Sequence, residues 1–515
     1  MHTDNPSATN HLNANPDPKH FSYKVLGLLS WGILVSCLVN LVVAPRLLLN
    51  VARVVAIYMM IRFIAFMFLY LIGLLGIRTA EKRAMARSRL ASLRDENVPS
   101  RTVHHLVVLP NYEEPVEILD RTLRSLTSQA KACQTITVVL AMEEREPGAR
   151  SKAEALVAKY KSGFHGMMAT FHPADLPGEA PGKGVNESWA VHCGRKELVD
   201  RMGIPIDRVI VTVIDSDSRL HPGYLAELTR RFQDGSRRHS LVWQAPIFLD
   251  NDIWQCHAAI RLVTFFSNAI STGDYFNPWE ARFPYSTYSI GLKLLEEVNY
   301  WDPTVMTEDV NIFMRAFFKK GGRAFVERIY LPVHGNPTYG ADLWHAIRIF
   351  YSQKVRQGWG GAEIGYMLQK WNYKPGTPFF YKLGRFLKLV HDHLFFSTAG
   401  FVVALGTVLS IWLDHSAVIT FPPSSFSPLL FTILNLLGGF ALVVIWFVER
   451  VRLSRDWSNW SFKTLASEIV SLAIIPVLFL LLTNLPGLQA QAQMFLGQSI
   501  NFTRTPKGFN SKFSE

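Results

Sequence analysis

The 515-residue chain carries 53 Lys and Arg against 41 Asp and Glu, a formal excess of +12 (53 − 41), and 4 cysteines. That length allows two or three domains and excludes a small disulfide-stapled module. With 18% charged residues and a mean hydropathy of +0.13, the chain is neither a disordered polyelectrolyte nor a nucleic-acid-coating protein, so the basic excess needs another explanation.

Residues 1–22, rich in Asn, Asp, Pro and His, read as a disordered tail. A membrane hairpin follows at 23–78. Its first span, 25–43, has no charged residue, and about 20 apolar residues suffice to cross a hydrocarbon core of about 30 Å. Its second, 54–77, contains Arg62, which costs roughly 3 kcal/mol at mid-membrane, while its fourteen Val, Ile, Leu and Phe return roughly 0.3–0.6 kcal/mol each. Insertion wins, with Arg62 snorkelling or facing the bundle. Arg78 and the basic linker 79–102 come next, whereas the loop from Asp414 to Pro428 holds no Lys or Arg. This asymmetry puts the long middle segment on the cytoplasmic side, and basic residues beside a span, drawn to anionic lipid, explain part of the excess without nucleic acid. Cys37, Cys133, Cys193 and Cys256 lie far apart with no C-x-x-C and read as reduced thiols.

Residues 103–350 alternate short β-rich runs with helical patterns, the sign of an α/β domain with a largely parallel sheet. The strands fall at 105–109, 135–141, 167–171 and 209–214, the helices at 116–129, 149–161 and 186–201. Ligands of such sheets bind beyond the carboxyl ends of the strands. Tyr112, Glu113 and Glu114 follow strand one, Glu143 follows strand two, and Asp215-Ser216-Asp217 follows strand four. Two carboxylates one residue apart suit a hard ion, Mg²⁺ or Mn²⁺, with positions left for phosphate oxygens, although a lone D-x-D is also a common turn. Lys183 precedes a helix and can meet a phosphate there; the plain alternative is a solvated loop lysine. Thr307-Glu308-Asp309 opens a helical run at 310–319, as a cap with two acids in the first turn or as the seat of a general base. Gln353, Arg356 and Trp359 offer an amide, a guanidinium and an indole on interfacial helices at 351–394, before a second hairpin (395–413, 429–448). Residues 465–485 hold thirteen Leu, Ile, Val and Phe against Glu468, and an interfacial helix is favoured there over a fifth span.

The ordered series of P-x-Y, strand-end acids, Lys before a helix, D-x-D, T-E-D and Q-x-x-R, set between spans, resembles the processive family-2 glycosyltransferases that include cellulose synthase and hyaluronan synthase. The resemblance implies a GT-A-like (Rossmann-like) cytoplasmic α/β domain inserted between α-helical transmembrane segments of a multi-pass plasma-membrane protein. It assigns Tyr112, Glu114, Glu143, Lys183, Asp215, Gln353 and Arg356 to a nucleotide-sugar donor, usually UDP-linked, and Asp215 and Asp217 to Mg²⁺ or Mn²⁺. Asp309, with Glu308, becomes the catalytic carboxylate, and Gln244 and Pro246 line the acceptor path. In the tail at 486–515, Phe502, Thr505 and Lys507 are similar to a gating loop over the donor, with Arg504 in place of a valine. The implied partners are the donor, a growing glycan or lipid-linked acceptor, membrane lipids and accessory export subunits, and no nucleic acid.

Two positions depart from the pattern: Glu113 replaces the Asn of P-x-Y-N-E, and Gln357 replaces the Trp of Q-x-x-R-W. The nearby Trp359 is the candidate substitute platform for the acceptor sugar. The implied activity is inverting transfer that builds a β-linked polysaccharide for export; single addition to a lipid-linked acceptor is the alternative, and a transporter or receptor with an inert nucleotide-sugar fold is the third reading. A helix N-terminus is expected to lower the pKa of Asp309.

Overall fold

The computed structural model describes residues 20–93, 102–174, 176, 179, 182–305, 307–372, 376–409, 428–454 and 460–498. The N-terminal hairpin is α1 (Phe21–Val43) and α2 (Pro45–Leu93). Pro45 opens α2, where its missing N–H costs nothing. At 49 residues α2 is longer than any bilayer needs, so the expected linker is helical up to Leu93 instead of forming a separate segment. Arg87 on this extension reaches Glu227 of the α/β domain at 2.7 Å.

The central domain runs β1 (His104–Asn111), α3 (Val116–Thr127), β2 (Ile136–Glu143), α4 (Ala149–Tyr160), β3 (Gly166–His172), α5 (Lys183–Arg195), β4 (Val209–Val213), β5 (Arg219–Leu220), α6 (Tyr224–Asp234), β6 (Leu241–Gln244) and β7 (Ile247–Leu249). It continues through α7 (Ala258–Phe276), β8 (Tyr288–Gly291), α8 (Glu308–Lys319), β9 (Phe325–Arg328) and β10 (Val333–Gly335). The main sheet has the order β3-β2-β1-β4-β8-β6-β9, and β5-β10-β7 form a small second sheet. Only β8 runs antiparallel to its neighbours in the main sheet. The expected mostly parallel α/β domain is thus present, with all four predicted strands in place.

Parallel strands covered on both faces read as continuous apolar runs, and β2 is buried at every position. Alternation sends Leu106 and Val108 into one core and Val107 and Leu109 into the other. Each of these four side chains is fully buried, which stabilises the fold by roughly 1.5–3 kcal/mol apiece. Gly194 lets α5 lie close on β1, since a Cβ there would meet Leu106 at 2.6 Å.

Beyond the domain come α9 (Leu343–Gly358), α10 (Ala362–Gln369), α11 (Phe379–Ala404), α12 (Pro428–Leu453), α13 (Phe462–Ala473) and α14 (Ile475–Phe495). Among the described residues, five helices are long and apolar enough to cross a membrane: α1, α2, α11, α12 and α14. The single interfacial helix expected at 465–485 is not formed, because the chain breaks at Ile474 between α13 and α14. Glu468 is fully buried against the neighbouring helices, accepting bonds from Arg261 and Trp446 at 2.8 and 2.9 Å and pairing with Arg450. A sequence count treats that carboxylate as a penalty, whereas two guanidinium groups brought from α7 and α12 compensate it. Arg62 faces inward as expected, toward Glu280 at 3.3 Å and Asp392 at 3.5 Å.

Candidate active site

The loops after β1, β2 and β4 leave the same rim of the sheet, because these strands are parallel. Lys183, the first residue of α5, reaches over this rim. Its Nζ lies 2.9 Å from Asp215, 3.3 Å from Glu187 and 3.5 Å from Glu308, and it donates to the Ser286 carbonyl at 3.3 Å. Asp309 is held beside them, accepting the Ser286 N–H at 2.9 Å on Oδ2 and the Val310 N–H at 2.8 Å on Oδ1. Three separate stretches of the sequence therefore bring Lys183, Asp215 and the adjacent Glu308 and Asp309 to one point.

Ser286 joins them. It bonds Asp309 through its N–H, Asp215 through its hydroxyl and Lys183 through its carbonyl. To do so it adopts φ 59°, a left-handed conformation that costs a non-glycine residue about 1 kcal/mol or more. Gln244, buried at the end of β6, fixes this loop: its Nε2 donates to the Thr287 carbonyl at 3.0 Å and its Oε1 accepts the Tyr285 N–H at 2.9 Å. The side chain expected along the acceptor path thus anchors the loop that orients the carboxylates. Pro246 is buried as well, its carbonyl accepting the Val333 N–H at 3.0 Å.

Burial sets the electrostatics here. It disfavours the Lys183 ammonium, but Asp215, Glu187 and Glu308 outweigh it and hold the group well above the ordinary lysine range. Burial drives Glu187 well above the carboxylate range. It carries Glu308, with Asp309 adding to the effect, to about 7. Asp309 is also raised by burial, against Lys183 and two backbone N–H donors that pull the other way. The expected lowering by the helix N-terminus is therefore reversed, because removing a carboxylate from water outweighs the dipole. Nor does Thr307 use its hydroxyl as a cap; it donates to Glu363 on α10 at 2.7 Å.

Glu363 also accepts from Asn311 at 3.2 Å, and burial raises its pKa to about 8 in spite of these donors. A raised folded-state pKa means that the native state binds a proton the unfolded chain has lost. Stability from this group is complete below the ordinary glutamate pKa and disappears as pH rises through about 8. Glu363→Gln is expected to remove this component, which has a maximum slope of about 1.4 kcal/mol per pH unit. Thermal denaturation of both proteins between pH 5 and 8 checks it, and parallel curves would refute it.

The remaining predicted residues are distributed around this point. Asp217 accepts the Asn336 N–H at 2.8 Å after β10, so it is anchored on the small second sheet. Thr338 of the same loop donates to Gln353 of α9 at 2.9 Å, and Arg356 lies one turn further along that helix. On the other side, Arg145 lies 4.2 Å over the Tyr112 ring and 3.4 Å from Glu143. Burial raises the pKa of Glu143. Glu114 is buried nearby. Glu113 has φ 55°, which an asparagine adopts more readily, and its N–H donates to Glu146 at 2.7 Å. The Trp359 indole donates to Gln493 of α14 at 3.0 Å. Phe502, Thr505 and Lys507 lie outside the described residues.

Sequence reasoning missed Glu187, Ser286 and Glu363. Glu187 had a usable signal, an acid one helical turn after Lys183; Glu363 stands out only as a charge inside an apolar helix; Ser286 had none. Among the described residues no cluster of three or more His, Cys, Asp or Glu is placed to hold a metal. The donors Asp215 and Asp217 are hard oxygens, and a two-carboxylate set suits an ion that shares its other positions with phosphate oxygens.

Residues 210–448 match the family model described as Glycosyl transferase family group 2. The matched stretch includes Asp215, Asp217, Gln244, Glu308, Asp309, Gln353 and Arg356. No curated protein matches the chain. Among solved structures, it is similar to the mannosyltransferase PcManGT from Pyrobaculum calidifontis in complex with GDP-Man and Mn²⁺, at 11% identity and TM-score 0.38, covering 80% of this chain and 98% of that one. It is also similar to residues 1–349 of TarS from S. aureus in complex with UDP-GlcNAc, at 12% identity and TM-score 0.29, covering 73% and 91% of the two chains.

Proposed function

We propose that this chain is a family 2 glycosyltransferase that transfers a sugar from a nucleoside diphosphate donor, UDP-linked, with inversion, and builds a β-linked glycan at the cytoplasmic face of a membrane whose spans export it. The observation that carries this reading is the convergence of Lys183, Asp215, Glu308 and Asp309 at the carboxyl rim of the sheet. Transfer requires the leaving diphosphate to be stabilised and the acceptor hydroxyl to lose a proton. Lys183 and Arg356 supply positive charge for the first. A divalent ion held by Asp215 and Asp217 would add Lewis-acid stabilisation of the diphosphate oxygens. Asp309 takes the proton. Its raised proton affinity suits a base, and Ser286 and Val310 fix its orientation so that one oxygen can face the acceptor hydroxyl. Attack from the opposite face inverts the anomeric centre, so an α-linked donor yields a β-linked product.

The carboxylate excess supports metal dependence by the same chemistry. The Lys183 ammonium is already paired with Asp215 at 2.9 Å, so a diphosphate brought against this acidic cluster needs more positive charge than that one ammonium provides. One observation favours the second reading, single addition to a lipid-linked acceptor: the Trp359 indole is engaged with Gln493 of α14, and the family's Trp position holds Gln357.

The test is to incubate the purified full chain with a panel of UDP- and GDP-sugars, with Mn²⁺, Mg²⁺ or a chelator, measuring nucleotide release, product size and anomeric configuration. Metal-dependent release with a β-linked product is expected. Long products support polymerisation and one-sugar products support single addition, whereas no release from any donor would favour an inert transporter or receptor.

A further inference from the structure

A second cleft, of about 890 Å³, lies at the starts of β6 and β9, closed by the loop 278–282 and the first turns of α11. Its lining includes none of Lys183, Asp215, Glu308 and Asp309, which gather at the opposite end of β6. The wall is rich in cations. Two are already neutralised: Arg62 by Glu280 and Asp392, and Lys388 by Asp274, Glu280 and Asp392. Three more, Arg237, Arg282 and Arg385, have no ion pair among the described residues, and the lining Glu327 is taken by Arg231 at 3.2 Å.

Arg385 is only 8% exposed, and its guanidinium lies 4.4 Å over the Phe317 ring. The Nε–H groups of both Arg385 and Arg282 are buried without an acceptor. Burying the Arg385 cation without a paired carboxylate is costly, and with the unsatisfied Nε–H of the partly exposed Arg282, whose Nη2 donates to the Asn277 carbonyl at 3.4 Å, it points to an anionic occupant on this cleft wall. Burial also lowers the pKa of Arg282, and Arg328 nearby adds to that. Trp279 and Phe380 in the same lining are 84% and 82% exposed. Phe380 stands at the start of α11, one of the helices able to cross a membrane, where bulky aromatics mark the lipid–water boundary. A small soluble anion would need neither the volume nor these rings, whereas basic pockets between membrane helices suit lipid headgroups.

We propose that this cleft binds the phosphate-bearing headgroup of an anionic membrane phospholipid, with Arg282 and Arg385 as its anchors and Trp279 and Phe380 against the acyl region. The site is separate from the transfer chemistry and does not depend on it. The test is native mass spectrometry of the full chain in detergent, titrated with phosphatidylglycerol or phosphatidylcholine, with inorganic phosphate as competitor. Phosphatidylglycerol is expected to bind about tenfold or more tightly than phosphatidylcholine, Arg282→Gln and Arg385→Gln to erase at least about tenfold of its affinity each, and inorganic phosphate to leave it bound. Arg282 is partly exposed, so its variant keeps the test valid if Arg385→Gln fails to fold. Equal affinity for the two lipids, unchanged binding in Arg282→Gln, or displacement by inorganic phosphate would overturn the proposal.

Discussion

Asp309→Asn is expected to lower the transfer rate by about 10²–10⁴-fold while donor binding survives. The amide keeps one oxygen to accept the Ser286 or Val310 N–H and loses the other of these bonds, and it cannot take the acceptor's proton. The wild-type acid limb should lie above the ordinary carboxylate range, because burial raises both Asp309 and Glu308, the latter to about 7. The two carboxyls interact, so this limb reports the pair and not one residue. Donor affinity by calorimetry and turnover by nucleotide release separate the effects. Near-wild-type turnover in Asp309→Asn would remove Asp309 from the role.

Lys183→Met is expected to have the largest combined effect. It leaves Asp215, Glu187 and Glu308 without the ammonium that compensates them, and Glu187 is fully buried. Removing one member of a buried ionic group typically costs about 3–5 kcal/mol, and donor binding should fail with it. The loss should depend on pH in a defined direction. Without Lys183 the folded-state pKa values of Glu187 and Glu308 rise further above their unfolded values, so the variant retains most stability below the usual carboxylate pKa and loses it as pH rises. Adding Glu187→Gln removes one buried charge and should restore part of the melting temperature without restoring transfer. Scanning fluorimetry across pH together with nucleotide release tests the pair; recovery of both stability and activity in the double variant would show that Lys183 has only a structural role.

Much of the architecture could be read from the chain because it depends on local pattern. Apolar runs marked β1, β2, β3 and β4, helical spacing marked α3, α4 and α5, and residues 25–43 and 429–448 were apolar enough to define two membrane-length helices. Asp215 was singled out by the rule that ligands gather beyond parallel strands, and Lys183 by its place ahead of a helix. These features follow from side-chain period and length, which a sequence carries directly. What the tertiary structure alone decided depends on neighbours hundreds of residues away. Glu468 counts as a cost until Arg261 and Arg450 surround it, and Asp309 looks like a helix-cap acid until burial reverses its expected shift. Gln244 looks like an acceptor contact until its bonds to Tyr285 and Thr287 appear, and Ser286 is an unremarkable loop serine until its left-handed backbone joins two carboxylates to a lysine. Solvation and pairing are properties of position in space, and packing of the sheet against α5, α8 and α10 fixes those positions.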